Sequence, residues 1–191
     1  VVTPDIVISN ATADQNRPAV TYDPTSAQFI VVWSDNRSGA ADIYGARVTT
    51  AGVVLDTTGV AVSAAVNGQF TPAIASTSTT TMAVWEDRRT EQDVYGTRLS
   101  GGASLSVLNP AGIAVSTVAG AQSAPKITSL GTSLMAAWVD GRISQNDIYG
   151  QQISTSGLLA GTEFAIANSP NTENGIAVLG SGTANSARVA Y

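Results

Sequence analysis

Trp33-Ser34-Asp35-Asn36-Arg37, followed by Asp42-Ile43-Tyr44-Gly45, is written three times in this chain. It returns as Trp85-Glu86-Asp87-Arg88-Arg89 with Asp93-Val94-Tyr95-Gly96, and as Trp138-Val139-Asp140-Gly141-Arg142 with Asp147-Ile148-Tyr149-Gly150. The copies recur at about 52 residues, and Pro18, Pro72 and Pro125 keep nearly the same interval. A period of this length marks a repeat architecture, in which each copy solves the same packing problem. An active site is normally built once, so the stretch speaks to fold before it speaks to chemistry.

Each period contains four short segments rich in β-branched and aromatic residues, separated by Gly, Asn, Asp, Ser and Thr. That pattern predicts strands joined by turns. The first, a, is Pro18 to Tyr22, Pro72 to Ala75 and Pro125 to Thr128, with Pro at the opening position where a missing backbone donor matters least. The second, b, is Phe29 to Trp33, Met82 to Trp85 and Leu134 to Trp138, apolar on both alternating faces and so expected between two layers. The third, c, is Asp42 to Val48, Asp93 to Leu99 and Asp147 to Ile153, whose alternation predicts a strand nearer solvent. The fourth, d, is Gly59 to Ser63, Gly112 to Ser116 and Glu163 to Ala167. Asp5 to Ser9 reads as a d strand without a preceding unit, Gly175 to Val178 as a further a, and Ala187 to Tyr191 as a further b with Tyr191 in the Trp position. No window sustains helical periodicity.

The expectation is an all-β fold of β-propeller type, about 3.7 four-stranded antiparallel blades of about 52 residues. The whole of 1–191 forms one repeat domain, with strand d at 5–9, blades at 18–63, 72–116 and 125–167, and a partial fourth blade at 174–191. Three closures compete: a small four-bladed ring with a degenerate last blade, a fragment of a larger ring, and half of a seven- or eight-bladed assembly made with a second chain, so that the ring is completed by another copy or by further blades. The last two are favoured, because an open end exposes an apolar edge that proteins usually cover.

Composition narrows the function classes. The 43% hydrophobic and 12% charged content is that of a folded domain, and no apolar run approaches the roughly 20 residues that a membrane-spanning helix needs. The opening at Val1, without a charged-then-apolar leader, reads as a processed product or a fragment. The chain has no cysteine and no histidine, which excludes disulfides, thiolate metal sites, Ser-His triads and His-ligated metals. A net charge of −5 with no basic run argues against nucleic acid and anionic membrane. One lysine, Lys126, against eight arginines on a Ser, Thr, Gly, Ala and Asn background resembles an exported bacterial polypeptide more than a cytosolic enzyme.

The candidate site residues are Trp33, Asp35 and Arg37, Trp85, Asp87 and Arg89, and Trp138, Asp140 and Arg142. The indoles serve either as sugar-stacking platforms or as core between layers, and their Val and Ala companions favour core. The Asp and Arg, with Asp42, Asp93 or Asp147 following, form either a ligand cluster or a b–c turn locked by hydrogen bonds, with the turn preferred. A calcium loop would need six to eight oxygens, and Arg37, Arg89 and Arg142 place a fixed positive charge where the cation would sit. No metal, cofactor or catalytic residue is therefore assigned. Glu86, Glu91, Glu163 and Glu173 break the repeat symmetry, and none has an evident partner as one of the paired carboxylates of a glycosidase. Two sequons, Asn10-Ala11-Thr12 and Asn36-Arg37-Ser38, read as chance matches.

The Trp-x-Asp-x-Arg and Asp-Ile-Tyr-Gly pattern resembles tandem repeats of large exported or cell-surface bacterial proteins, related in style to TolB-like and sialidase-type propeller blades. The resemblance runs from Asp5 to Tyr191 and implies an extracellular or cell-surface binding or scaffolding module, with a glycan or a protein as ligand. The Ser-x-Asp-x-Gly-x-Thr-Trp box of sialidases is not matched. A glycosidase-like enzyme is the alternative, and a purely structural surface repeat is another.

Overall fold

Fifteen strands and no helix make up the computed structural model, which describes residues 5–143, 145–180 and 186–191. The first sheet comprises β1 (Gln15–Asp23), β2 (Gln28–Asp35), β3 (Asp42–Thr49) and β4 (Val60–Ser63), hydrogen-bonded in that order. The second comprises β5 (Gln69–Ser76), β6 (Thr81–Asp87), β7 (Asp93–Ser100), the two-residue β8 (Ser106–Val107) and β9 (Ile113–Ser116), the last two both on β7. The third comprises β10 (Gln122–Ser129), β11 (Ser133–Asp140), β12 (Asp147–Ser154) and β13 (Leu159–Ala167). Of the expected fourth unit, β14 (Ala177–Gly180) pairs with β15 (Ala187–Ala190), and residues 181–185 lie outside the described residues. All pairing is antiparallel, as tight turns between successive strands require.

The repeat survives as register. Asp35 faces Asp42, Asp87 faces Asp93 and Asp140 faces Asp147 at the b–c turn. Ala177 opposite Ala190 matches Ala73 opposite Val84, so the fourth unit continues the same frame.

Core lies between the sheets. Val32, Ile43 and Val62 of the first sheet pack on Ala83, Trp85 and Leu99 of the second. On the opposite face of β6, Met82 and Val84 pack with Val94 and Val115 against Leu134, Trp138 and Ile153 of the third. Ala137, Val139 and Ile148 then meet Ile176 and Val178 of the fourth. Both faces of the middle strands are thus covered, and every residue of β6 and β11 is buried. The first strands β1, β5, β10 and β14 are neighbours in that order.

Three expectations change. Asp5 to Ser9 is not a strand, because no c strand stands beside it to accept its backbone; Ile8 and Ser9 instead border, with Val31 and Trp33, a shallow open pocket. Pro does not open strand a. Each first strand begins three residues earlier, at Gln15, Gln69 or Gln122, and Pro18, Pro72 and Pro125 follow a bulge. The c strands are not solvent-facing, because their polar residues are buried against the returning chain. Arg47 binds Asp56 through Nε and Nη2 at 2.8 Å each, Thr97 donates to Asn109 O at 3.1 Å, and Gln151 donates to Ala160 O at 3.2 Å. Three of the acids that break the repeat symmetry meet a cation or a hydroxyl rather than a second carboxylate. Glu163 pairs with Arg142, Glu86 with Arg88, and Glu173 accepts from Ser169.

Candidate functional site

Residues i and i+2 of a strand share a face, so the b strand places each Trp beside the Asp two positions on. Trp33, Trp85 and Trp138 are buried, and each indole N–H donates to that Asp Oδ2 at 2.8 Å. The Arg two residues further, past the strand end, turns back onto the same carboxylate. In the first repeat Oδ1 of Asp35 accepts the Arg37 backbone N–H at 3.0 Å and Nε at 2.9 Å, and Oδ2 accepts Nη2 at 2.6 Å. Asp87 with Arg89 and Asp140 with Arg142 repeat this fork within 0.2 Å. Each carboxylate therefore accepts four hydrogen bonds, two of them side by side from a planar guanidinium.

The guanidinium lies over the Tyr that faces Trp across the sheet. Its carbon stands 4.0 Å from the Tyr44 ring centre, 4.0 Å from that of Tyr95 and 3.7 Å from that of Tyr149. This cation–π contact is strengthened by partial burial. The last donor, Nη1, reaches Thr58 O at 2.6 Å in the first repeat and Ala111 O at 2.7 Å in the second. Gly59 and Gly112 come next in the chain, with φ of 70° and 78°. A Cβ there would stand 2.9 Å from the Trp33 ring or 3.1 Å from the Tyr95 ring, so backbone approach and left-handed φ both select glycine. In the third repeat Glu163 takes this place and supplies its own acceptor. Oε1 is 2.9 Å from Arg142 Nη1, and Oε2 accepts Ser116 Oγ of the second sheet at 2.8 Å.

Burial alone would raise the Asp35 and Asp140 carboxyls. Hydrogen bonds from Arg and Trp outweigh it and hold both below the usual carboxylate range, while the same bonds raise the arginines. Asp42 and Asp93 do not join the fork but cap the b–c turn, accepting from Ser38 Oγ and, at 2.8 Å, from Thr90 Oγ1. Burial pushes Asp93 up.

Structure thus brings all nine candidates together as three internal clusters rather than one shared cleft. In each fork the carboxylate oxygens of Asp35, Asp87 or Asp140 are committed to the guanidinium and the indole. Among the described residues no three acidic side chains gather as a cation site, and no helix is long and apolar enough to cross a membrane.

Sequence reasoning missed a second repeated set. Gln15, Gln69 and Gln122 stand three residues before the repeat proline, a Gln-x-x-Pro signal readable in the sequence. Their amides bind the linker into each sheet: Gln69 Nε2 donates to Ala65 O at 3.0 Å, Gln122 Nε2 to Val118 O at 2.9 Å and to Gly120 O at 2.8 Å, and Gln15 Nε2 to Ala13 O at 2.5 Å. Backbone N–H groups of Gln69 and Gln122 also reach Ala41 O and Gln92 O of the preceding sheet, each at 2.7 Å. Glu173, whose N–H reaches Asn146 O at 3.0 Å, holds this position in the fourth unit. Compared with known families and curated sequences, the chain matches no family model and no curated protein.

Proposed function

We propose that the chain is a non-catalytic binding or scaffolding module of propeller type, part of an exported or surface-exposed bacterial protein. The observation that carries this reading is the saturation of the thrice-repeated cluster. In each copy the Asp between Trp and Arg accepts four hydrogen bonds from those two residues and the Arg stacks on Tyr, so the acid and the cation of the fork are committed to each other; Asp147 beside the third fork is buried and keeps both carboxylate oxygens without a partner among the described residues. Side-by-side first strands and two-sided packing of the middle strands support a radial stack of blades. The fourth unit contributes two described strands and leaves Leu179 and Tyr191 exposed, which supports completion by another copy or by further blades.

A glycan array together with a panel of chromogenic glycosides tests the reading. Binding without turnover is expected, and hydrolysis of any glycoside by the purified chain would overturn it. Light scattering tests completion, with a monodisperse monomer counting against a second copy.

A further inference from the structure

Where β1, β5, β10 and β14 come together they border a cavity of about 440 Å³, whose wall includes Arg17, Thr71, Lys126, Ile127 and Val178. Arg17 is exposed and Lys126 half-buried, and neither forms an ion pair among the described residues. Arg37, Arg47, Arg88, Arg89 and Arg142 do, while Arg98, bound to the Asn109 amide oxygen, and Arg188 lie away from this wall without an ion pair among the described residues. Two unpaired cations on one concave wall are unexpected in a chain of net charge −5, since like charges repel. Glu86 stands 3.5 Å from Thr71 Oγ1 of this wall, and Arg88 neutralises it at 3.0 Å.

Both cations are departures from the repeat. Lys126 stands where the other units have Ala19, Ala73 and Ala177, and Arg17 stands where they have Thr71, Ala124 and Gly175. The cavity is therefore a place where repeat symmetry fails, as a singly built site requires. The backbone adds a second observation. Arg17, Thr71 and Ala124 hold φ of 53°, 48° and 50°, a left-handed conformation that costs a non-glycine residue about 1–2 kcal/mol. Two of these three residues line the cavity, so the bulge that accommodates each repeat proline also shapes this wall.

We propose that this cavity binds two carboxylates a few carbon atoms apart, as in a short dicarboxylic acid or neighbouring uronic acid units of a glycan. Arg17 takes one carboxylate in its two-pronged fork, Lys126 holds the other as a point charge, and Ile127 and Val178 cover the carbon skeleton. The proposal rests on the binding-module reading and gives it a ligand class.

Titration calorimetry on the intact chain with glutarate, digalacturonate and the neutral control 1,5-pentanediol tests it. The substitutions Lys126→Ala and Arg17→Thr restore residues used by other units, so folding is preserved, and melting temperature checks this. One or both acids should bind, the diol should not, and affinity should fall with added salt. Each substitution should weaken binding about tenfold, and the pair should abolish it. Preference for glutarate identifies a free acid, and preference for digalacturonate identifies a glycan. Equal binding of the diol, no binding of either acid, or unchanged affinity in the double variant overturns the site, while a positive glycan array would still uphold the module reading. Conversion of the bound acid would uphold the site and overturn the non-catalytic reading.

Discussion

Asp87 is fully buried, yet it is surrounded by donors rather than by solvent: Trp85 Nε1 and three nitrogens of Arg89. Asp87→Ala strips all four donors at once and leaves a buried indole N–H without an acceptor. Losing one partner of such a pair costs about 3 kcal/mol, discounted from the fully buried case because Arg89 keeps 21% side-chain exposure. Urea unfolding should show that loss, and a change under 1 kcal/mol would mean the fork is ornamental. Arg142→Lys tests shape instead of charge. An ammonium can approach Asp140 but cannot fork onto both its oxygens, stack on Tyr149 and reach Glu163 together, so about 1–2 kcal/mol should be lost in the same assay. At this scale the sequence was half legible. Trp in a Val and Ala strand reads as core, and Asp-x-Arg after it reads as a locked turn. Stacking on Tyr was not legible, because it depends on which residue faces Trp across the sheet, and the spacing to Tyr44 does not reveal that.

Among elements, the middle strands were the most readable and the first strands the least. A run such as Met82 to Trp85, with no polar alternation, can only lie between two layers, and it does. The c strands misled because Arg47, Thr97 and Gln151 look like surface residues. Their partners, Asp56 and Asn109 O in loops and Ala160 O at the start of β13, lie on a returning chain whose path no periodicity encodes. First strands were misjudged at proline. Proline cannot donate to the ladder, and the chain accommodates it inside the strand with a bulge whose preceding residue turns left-handed. The fourth unit already uses Gly175, φ 75°, at that place. Ala124→Gly should therefore leave stability unchanged or raise it by up to about 1 kcal/mol, relief of left-handed strain exceeding the extra entropy that glycine loses on folding. Thermal unfolding measures this, and a loss of 1 kcal/mol or more would show that the bulge is held by contacts of the Ala124 methyl.

For the whole molecule the sequence conveyed periodicity, antiparallel pairing and the layered core, since these follow from a repeated local pattern. How the ends are covered was not conveyed, and the Asp5 to Ser9 segment shows why: its β-branched run reads as a strand, yet Ile6 and Val7 stay exposed and the segment pairs with no strand. A global property follows from the buried acids. Asp23, Asp35, Asp56 and Asp140 all titrate below the usual carboxylate range in the folded chain. For Asp56 the Arg47 fork is the main cause. In the other three, hydrogen bonds overcome burial: Asp23 receives them from Ser26, Thr25 and Thr81, and Asp35 and Asp140 from Arg and Trp. A carboxyl whose folded pKa is depressed stabilises the fold above its unfolded value near 3.9, and that contribution is lost as pH falls through the folded value. Below about pH 4 the unfolded chain binds protons that the folded chain refuses, so stability must drop with acidification. Asp93, raised by burial, works in the opposite direction, and one group against four leaves the sign unchanged. Urea midpoints should hold nearly level from about pH 8 to 5 and then fall steeply toward pH 2. Asp56→Asn removes one of the four, so its stability deficit relative to the parent chain should shrink as pH falls. A midpoint that rises between about pH 5 and 3, or a deficit that stays constant, would show that these carboxylates do not hold the sheets together.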